Sequence, residues 1–568
     1  MKLRIIFASI ILLSCFSCGD FLDENPKGLI GGSYAKTEEG VESLVLSLYA
    51  CNRDLTNTLA LFADNGTDVT TYAVNASNSF YGNQMSYNNS LLISNTYNSQ
   101  YWKYLYNCLN VANTGVQFVE EASISKEEIR NRLRSEIHAL RAFYLFMIVE
   151  TWGPASHYAD KPSQTVITEG YQPGIAKFYQ TILADLQIAE QGLGMPEKNE
   201  FGRMNLGVAK AIKMRVLMSL AAYDSDILSE VGYTKDQCYD ETISLCNTLI
   251  NDFGYKLLDD YAAVFDAHNQ INDEIIWSIQ YTTDLKYNGL TGENGNNLHK
   301  YFVGWYNKSA KNINVNIDEL WGHSIAYGRE NRWIMPTYYY INSFNKYDKR
   351  RYATFQTVWC RIPDNWNNAP IVTDTLLIRA LDPVTPDYIE RYKNKGVIVD
   401  EISDIYNPDT GIPTVNGRSC YHTMTKFLDP TRDAAKREES FKDVIFIRLG
   451  EVYVTLAEAY VRKGKLEEAS QVITALRKRA LMPGHEDALT VEADKIDMRF
   501  ILEEGARELG CELNRWYMLK RSGMLVEWVK EKNPDITQLM DYHVNRPLPQ
   551  DALYEVTNLE EFKQNNGY

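Results

Sequence analysis

Apolar residues recur at helical spacing along much of this chain, and one stretch goes further. In the run ALRAFYLFMIV, residues 139–149, the single charge is Arg141, so a helix built from it is apolar on nearly every face and must be enclosed by protein. Ala139 and Ala142 are small enough to let a neighbouring helix approach closely. Gly153 followed by Pro154 predicts a left-handed cap and a sharp stop. An isolated buried charge is too costly, so a carboxylate or several carbonyls must meet Arg141. Arg448, in a second largely apolar segment, receives the same structural reading.

The same pattern predicts helices over 37–52, with Glu38 and Glu39 in the first turn, and over 97–121, 178–193, 204–223, 240–251 and 257–265. Two more, 446–462 and 465–480, are hinged at Gly464, and a last one spans 500–521. Residues 272–278, NDEIIWS, read as extended. Over 59–98 the helical period vanishes and Asn, Ser, Thr, Gly and Tyr dominate, while 285–440 mixes Tyr, Trp, Asn, Gly and Asp. Irregular regions that long usually carry function. The expectation is a mainly α protein whose helix pairs form a scaffold, with two long irregular insertions carrying short strands. The pairs have roughly the size of tetratricopeptide units, but no clean period of about 34 residues is visible.

Charge and cysteine usage narrow the function. A net charge of -16 argues against nucleic acid, which selects clustered Lys and Arg. The nine cysteines are scattered, and apart from Cys15 and Cys18 none has metal or redox spacing; no metal and no cofactor are expected. Lys2 and Arg4 precede the apolar run 5–13, which has the length of a signal-peptide core and is too short to span a bilayer. The following Leu-Leu-Ser-Cys at 12–15 fits a lipoprotein cleavage pattern, and Cys18, preceded by Ser17, is the rival attachment point.

Several segments, in order, resemble the SusD/RagB family of outer-membrane lipoproteins of the Bacteroidetes. The central EIHALRAFYLFMIVETWGP, residues 136–154, is similar to the family's helix ending in Gly and Pro. So are Cys18-Gly-Asp-Phe-Leu-Asp at the mature start, Trp102, Tyr106, Asn110, Ala112 and Asn113, and Gly202-Arg203 with Ala209, Ala211, Arg215 and Leu217. The likeness continues through Arg448, Glu451, Ala457, Glu458, Ala459, Arg477 and Arg479, through 500–521, and to the ending PLPQDAL and QNNGY, where Asn566 replaces a common proline. In 500–521, Leu513, Asn514 and Met518 depart from the family's glycine and acidic positions. The resemblance implies a signal peptide at 1–17, an N-terminal helical part at 18–270 with an insertion at 59–98, and a C-terminal part at 271–568. That second part holds the insertion 285–440 and the helix pair 446–480, and the whole forms one globular unit. It further implies tetratricopeptide-like pairs and a lipid-anchored protein on the outside of the outer membrane. Such a protein binds oligosaccharide and passes it to a SusC-like TonB-dependent transporter.

No catalytic centre stands against that reading. The eight histidines form no HExxH, and no G-x-S-x-G elbow or Walker loop occurs. The pairs Glu503-Glu504 and Glu467-Glu468 read as solvated helix faces. The insertions do offer aromatic rings for the apolar faces of sugars and polar groups for their hydroxyls. The first has Asp64, Asp68, Tyr72, Phe80, Tyr81, Asn83 and Tyr87. The second has Tyr301, Trp305, Tyr306, Trp321, Arg329, Trp333 and Tyr338. We single out Tyr81, Trp305, Trp321 and Trp333 as stacking platforms and Asp68, Asn83 and Arg329 as hydrogen-bonding partners, and expect the two insertions to meet in space. For each residue, packing within its loop is the competing role. A peptide or glycopeptide ligand on the same architecture is the alternative, and a glycan hydrolase with two facing carboxylates is the third.

Overall fold

Thr37 accepts a hydrogen bond from the Gly40 N–H and starts helix α1, Glu38–Ala63. The computed structural model describes residues 34–76, 86–88, 93–163, 165, 168–287, 294–317, 320, 323–361, 374–485 and 487–568; Cys15, Cys18, Tyr81, Asn83 and Trp321 lie outside them. Helix α1 runs 11 residues beyond the expected end at 52, because Leu59, Leu61 and Phe62 continue its buried face. Asn95 caps α2, Thr96–Glu121. Helix α3, Glu127–Trp152, is buried all round from Ser135 to Trp152 and packs between α2 and α4, Ile175–Gly192. Gly153 ends it at φ +58°, ψ −138°, so the expected positive φ is present but ψ lies outside the left-handed helical region. Leu206–Leu220, capped by Asn205, is α5; Ser225–Val231, a helix not read from sequence, is α6. A capping box of Thr234 and Gln237 opens α7, Lys235–Asn251, several residues before the expected start. The expected helix at 257–265 is instead an extended approach into a 3-10 turn at Tyr261–Phe265.

In the C-terminal half, α8 (Leu449–Arg462) and α9 (Leu466–Lys478) form the predicted hairpin, turning at Gly464 with φ +72°. The predicted helix over 500–521 is two helices, α10 (Met498–Leu509) and α11 (Arg515–Ser522), followed by α12, Leu525–Lys532. Cys511 and Leu513 hold φ +65° and +64° in the break, a conformation that ends a helix. Packing runs α2–α3–α4–α5–α7–α8 and on to α9 and α10, and one core cluster includes residues of both halves.

Beneath this hairpin lies a buried ionic cluster. Arg448 reaches Glu274 at 2.8 Å, Glu508 at 2.7 Å and Glu512 at 2.6 Å. Arg350 joins Glu504 at 2.9 Å and Glu508 at 2.7 Å, and Arg477 joins Glu504 at 2.5 Å. Glu504 is therefore buried, which corrects its reading as part of a solvated face; its α10 position turns inward onto three arginines. Burial alone would raise the pKa of Glu508, but Arg479, Arg448 and Arg350 outweigh it and hold the carboxyl well below its ordinary range.

The strands are short and join distant parts of the chain. β1 (Thr70–Tyr72) lies after α1; β2 (Ile275–Ile279) falls on the predicted extended segment; β3 (His323–Ser324), β4 (Gly328–Arg329), β5 (Ile334–Pro336), β6 (Val358–Cys360), β7 (Thr375–Arg379) and β8 (Ile398–Asp400) sit in the second insertion; β9 (Val444–Arg448) leads into α8. β2 pairs antiparallel with β9, β1 with β5, and β6–β7–β8 form a three-stranded sheet. No helix among the described residues is long and apolar enough to cross a membrane.

Candidate functional site

The β1–β5 pairing sets the site. Thr70 lies opposite Pro336, Thr71 opposite Met335 and Tyr72 opposite Ile334, so the described parts of the two insertions meet in one seam. Beyond the strands the ladder continues in loop backbone: Ala73 N–H donates to Trp333 O at 3.0 Å, Asn75 N–H to Arg332 O at 3.1 Å, and the Asn75 amide to Asn331 O at 2.8 Å. A third segment closes the seam, with Val74 N–H donating to Arg418 O at 2.9 Å and Trp305 N–H to Ser419 O at 2.7 Å.

Aromatic rings and cations line this junction. Trp333 is half-buried, its ring 4.8 Å from that of Tyr301 at an interplanar angle of 34°. Trp305 is also half-buried, and one face is covered by the Arg332 guanidinium, 3.8 Å from the ring centre. The Arg418 guanidinium lies 4.1 Å from the Tyr72 ring and pairs with Asp535 at 2.7 Å. Val74 and Asn75 are exposed at the edge.

The remaining candidates fall into place around it. Arg329 is half-buried, held by Glu438 at 2.7 Å and Lys436 O at 2.7 Å. Asp68 is fully buried, a correction to its reading as a rim acceptor: its oxygens accept from Arg515 at 2.8 and 2.6 Å and from Trp528 Nε1 at 2.8 Å. Asp64 is buried as well, and burial pushes its pKa up to about 7 against the hydrogen bond it accepts from Leu513 N–H. Tyr87 and Tyr306 are buried packing residues bonded to Gly66 O and Gly328 O, and Tyr338 packs near Tyr406. The sequence reading omitted Asn75, Asn331, Arg332 and Arg418. The triplet Asn331-Arg332-Trp333, polar groups flanking a ring inside an irregular region, was the signal available.

A separate cavity of ≈ 280 Å³ is lined by Trp102, Tyr106, His157 and Phe562 and shares no residue with the seam. Burial lowers the His157 pKa to about 4, so its ring is neutral at ordinary pH. Among the described residues no group of three His, Cys, Asp or Glu side chains is placed to hold a metal.

A helical scaffold thus carries an aromatic seam where the described parts of the two insertions join. The comparisons agree on its class: a profile of the SusD family matches residues 273–568, and one described as "Starch-binding associating with outer membrane" matches 20–202. The chain belongs to the SusD family, a group of non-catalytic surface glycan-binding proteins. It is similar to SusD-like protein P25 of Formosa agariphila, 24% identical over 589 positions that cover 100% of both chains. Its fold matches a laminarin binding SusD-like protein with a TM-score of 0.68 at 18% identity, over 94% of this chain and 100% of that one. Surface glycan-binding protein A from Bacteroides thetaiotaomicron, solved in complex with laminarihexaose, matches with a TM-score of 0.66 at 16% identity, over 94% and 100% of the two chains.

Proposed function

We propose that this protein captures an oligosaccharide on the seam and passes it to a SusC-like TonB-dependent transporter. In this reading it faces outward from the outer membrane, anchored by lipid on Cys15 or Cys18. The observation that carries the proposal is the joining of β1 to β5, which places the half-buried rings of Trp333 and Tyr72 on the same seam as the exposed Asn75. Rings supply stacking faces and amides supply hydroxyl partners, the combination sugar recognition requires. Loops held on a rigid scaffold are where binding residues concentrate. Laminarihexaose, bound in the similar glycan-binding protein A, is the first neutral probe to titrate. Trp333→Ala should weaken binding of whichever neutral oligosaccharide the protein takes by about 1–3 kcal/mol, a range borrowed from base stacking, with the melting temperature unchanged. Unchanged affinity in that variant would remove Trp333 and the seam from the proposal.

A further inference from the structure

Arg332 holds a position that its structural environment does not explain. Its backbone has φ +56°, an uncommon conformation for a residue with a side chain. None of its guanidinium donors meets an acceptor among the described residues, and Nε is buried without a partner. Other arginines of this region are neutralised: Arg329 by Glu438 at 2.7 Å, Arg418 by Asp535 at 2.7 Å and Arg379 by Asp400 at 3.1 Å. The carboxylate whose field Arg332 feels is Glu330, and that side chain turns to His323 at 3.1 Å. Burial draws the Arg332 pKa below its ordinary value, and Glu330 does not restore it.

A second cation stands at the same ring. Lys308 Nζ lies 5.6 Å from the Trp305 ring centre and has no carboxylate in contact among the described residues. The indole thus carries two unneutralised cations in a protein with 74 acidic and 58 basic residues. Contact with an indole contributes about 0.5–1 kcal/mol at exposed sites and leaves the two Nη groups, which are not buried as Nε is, without an acceptor among the described residues. What completes Arg332 is an anion with two oxygens in its plane, as in a carboxylate or a sulfate ester.

We propose that the seam is selective for acidic saccharides, with Arg332 gripping a carboxylate or sulfate and Lys308 adding charge beside it, while Trp333 receives the sugar ring. This rests on the glycan-capture reading above and names the class of sugar within it. The same pair of oxygens can come from a uronic acid or from a sulfate ester, and the test separates these sources.

The full-length protein is titrated with matched probes: an oligogalacturonate and its carboxyl-reduced counterpart, a sulfated galactan oligosaccharide and its desulfated counterpart, and laminarihexaose. At least one acidic probe should bind about 10- to 100-fold tighter than its neutral partner, the worth of a hydrogen bond to a charged group. Which probe does so names carboxylate or sulfate. Arg332→Gly, whose backbone fits the positive φ, should abolish that preference with the fold intact, and Lys308→Ala should reduce it. Trp333→Ala should weaken the acidic probe and its neutral partner alike. Equal binding of acidic and neutral partners, or an acid preference that survives Arg332→Gly, overturns the inference. Binding of laminarihexaose alone overturns it and leaves glycan capture standing, whereas no binding of any probe overturns both.

Discussion

Arg141 meets Asp185 through two parallel hydrogen bonds, Nε to Oδ2 at 2.8 Å and Nη2 to Oδ1 at 2.6 Å, and this fork ties α3 to α4 inside the core. His138 Nδ1 lies 2.6 Å from the same Oδ1, and the Asn113 carbonyl approaches Nη1 at 3.4 Å. The charge demanded by an otherwise apolar helix is answered from the next helix. Arg448 is answered by three glutamates. Replacing either arginine by methionine leaves buried carboxylates unpaired and should destabilise the protein by about 2–5 kcal/mol in denaturant unfolding. Glycan affinity of the folded fraction should stay the same; a variant of normal stability that no longer binds would move the site onto the helical core.

Asp64 gives stability a distinct dependence on pH. Its folded pKa, raised by burial to about 7, lies above the ordinary 3.8, so the folded state keeps a proton that the unfolded chain releases. The stability from this group is complete below the lower value and is lost as pH rises to the higher one. Asp64→Asn stays neutral throughout. The stability of the variant relative to the native protein should therefore climb with pH between those two values, by up to about 1.4 kcal/mol per unit. Urea midpoints at a series of pH values read this directly, and a difference that does not change with pH refutes it.

Gly153 is a position where a side chain has no room. A Cβ there would sit 2.4 Å from Asn545 Oδ1, on a backbone at φ +58°. Gly153→Ala should cost about 1–3 kcal/mol, combining backbone strain with displacement of Asn545. Thermal melting of Gly153→Ala beside Gly174→Ala tests the local clash. Gly174 has φ +90° and open space around its Cβ position, so it should lose only the backbone part. Equal losses would assign the whole effect to φ.

Membrane attachment is expected to rest on Cys15 or Cys18. Buried lipid methylenes contribute about 0.8 kcal/mol each, so the chains on one acylated cysteine suffice for a stable anchor. Substituting both cysteines by alanine should shift the protein into the soluble fraction after cell disruption. Retention with the membrane would refute lipid anchoring at these residues.

The helical scaffold was legible where its cause was local. An apolar run, a Gly hinge at 464 and acidic first turns depend on neighbours in sequence, and α3, α8 and α9 appear where the pattern put them. Features decided by distant partners were not legible. Asp68 is withdrawn from the surface by Arg515 and Trp528, 447 and 460 residues away, and Glu504 is drawn inward by Arg350 and Arg477. The break between α10 and α11 likewise meets distant partners, with Leu513 N–H donating to Asp64 Oδ2 and Lys426 Nζ donating to Gly510 O, each at 2.8 Å. At the seam, residue type singled out Trp305 and Trp333. That Arg332 has no counterion among the described residues belongs to three dimensions alone.

The anchoring of β1 has a consequence for how the molecule is made. Asp64 waits for Leu513, Asp68 for Arg515 and Trp528, and the Thr67 carbonyl for Asn533, while β1 itself waits for β5. A chain emerging from its N-terminus meets β5 part-way through synthesis, but Leu513, Arg515, Trp528 and Asn533 arrive only in its last tenth, and closing contacts over such separations is slow. Until then two aspartates lack the bonds that make their burial tolerable. The proposed recognition surface is thus finished late in folding, and a chain cut short before Trp528 should forfeit it, so ligand competence would report that synthesis has passed that point.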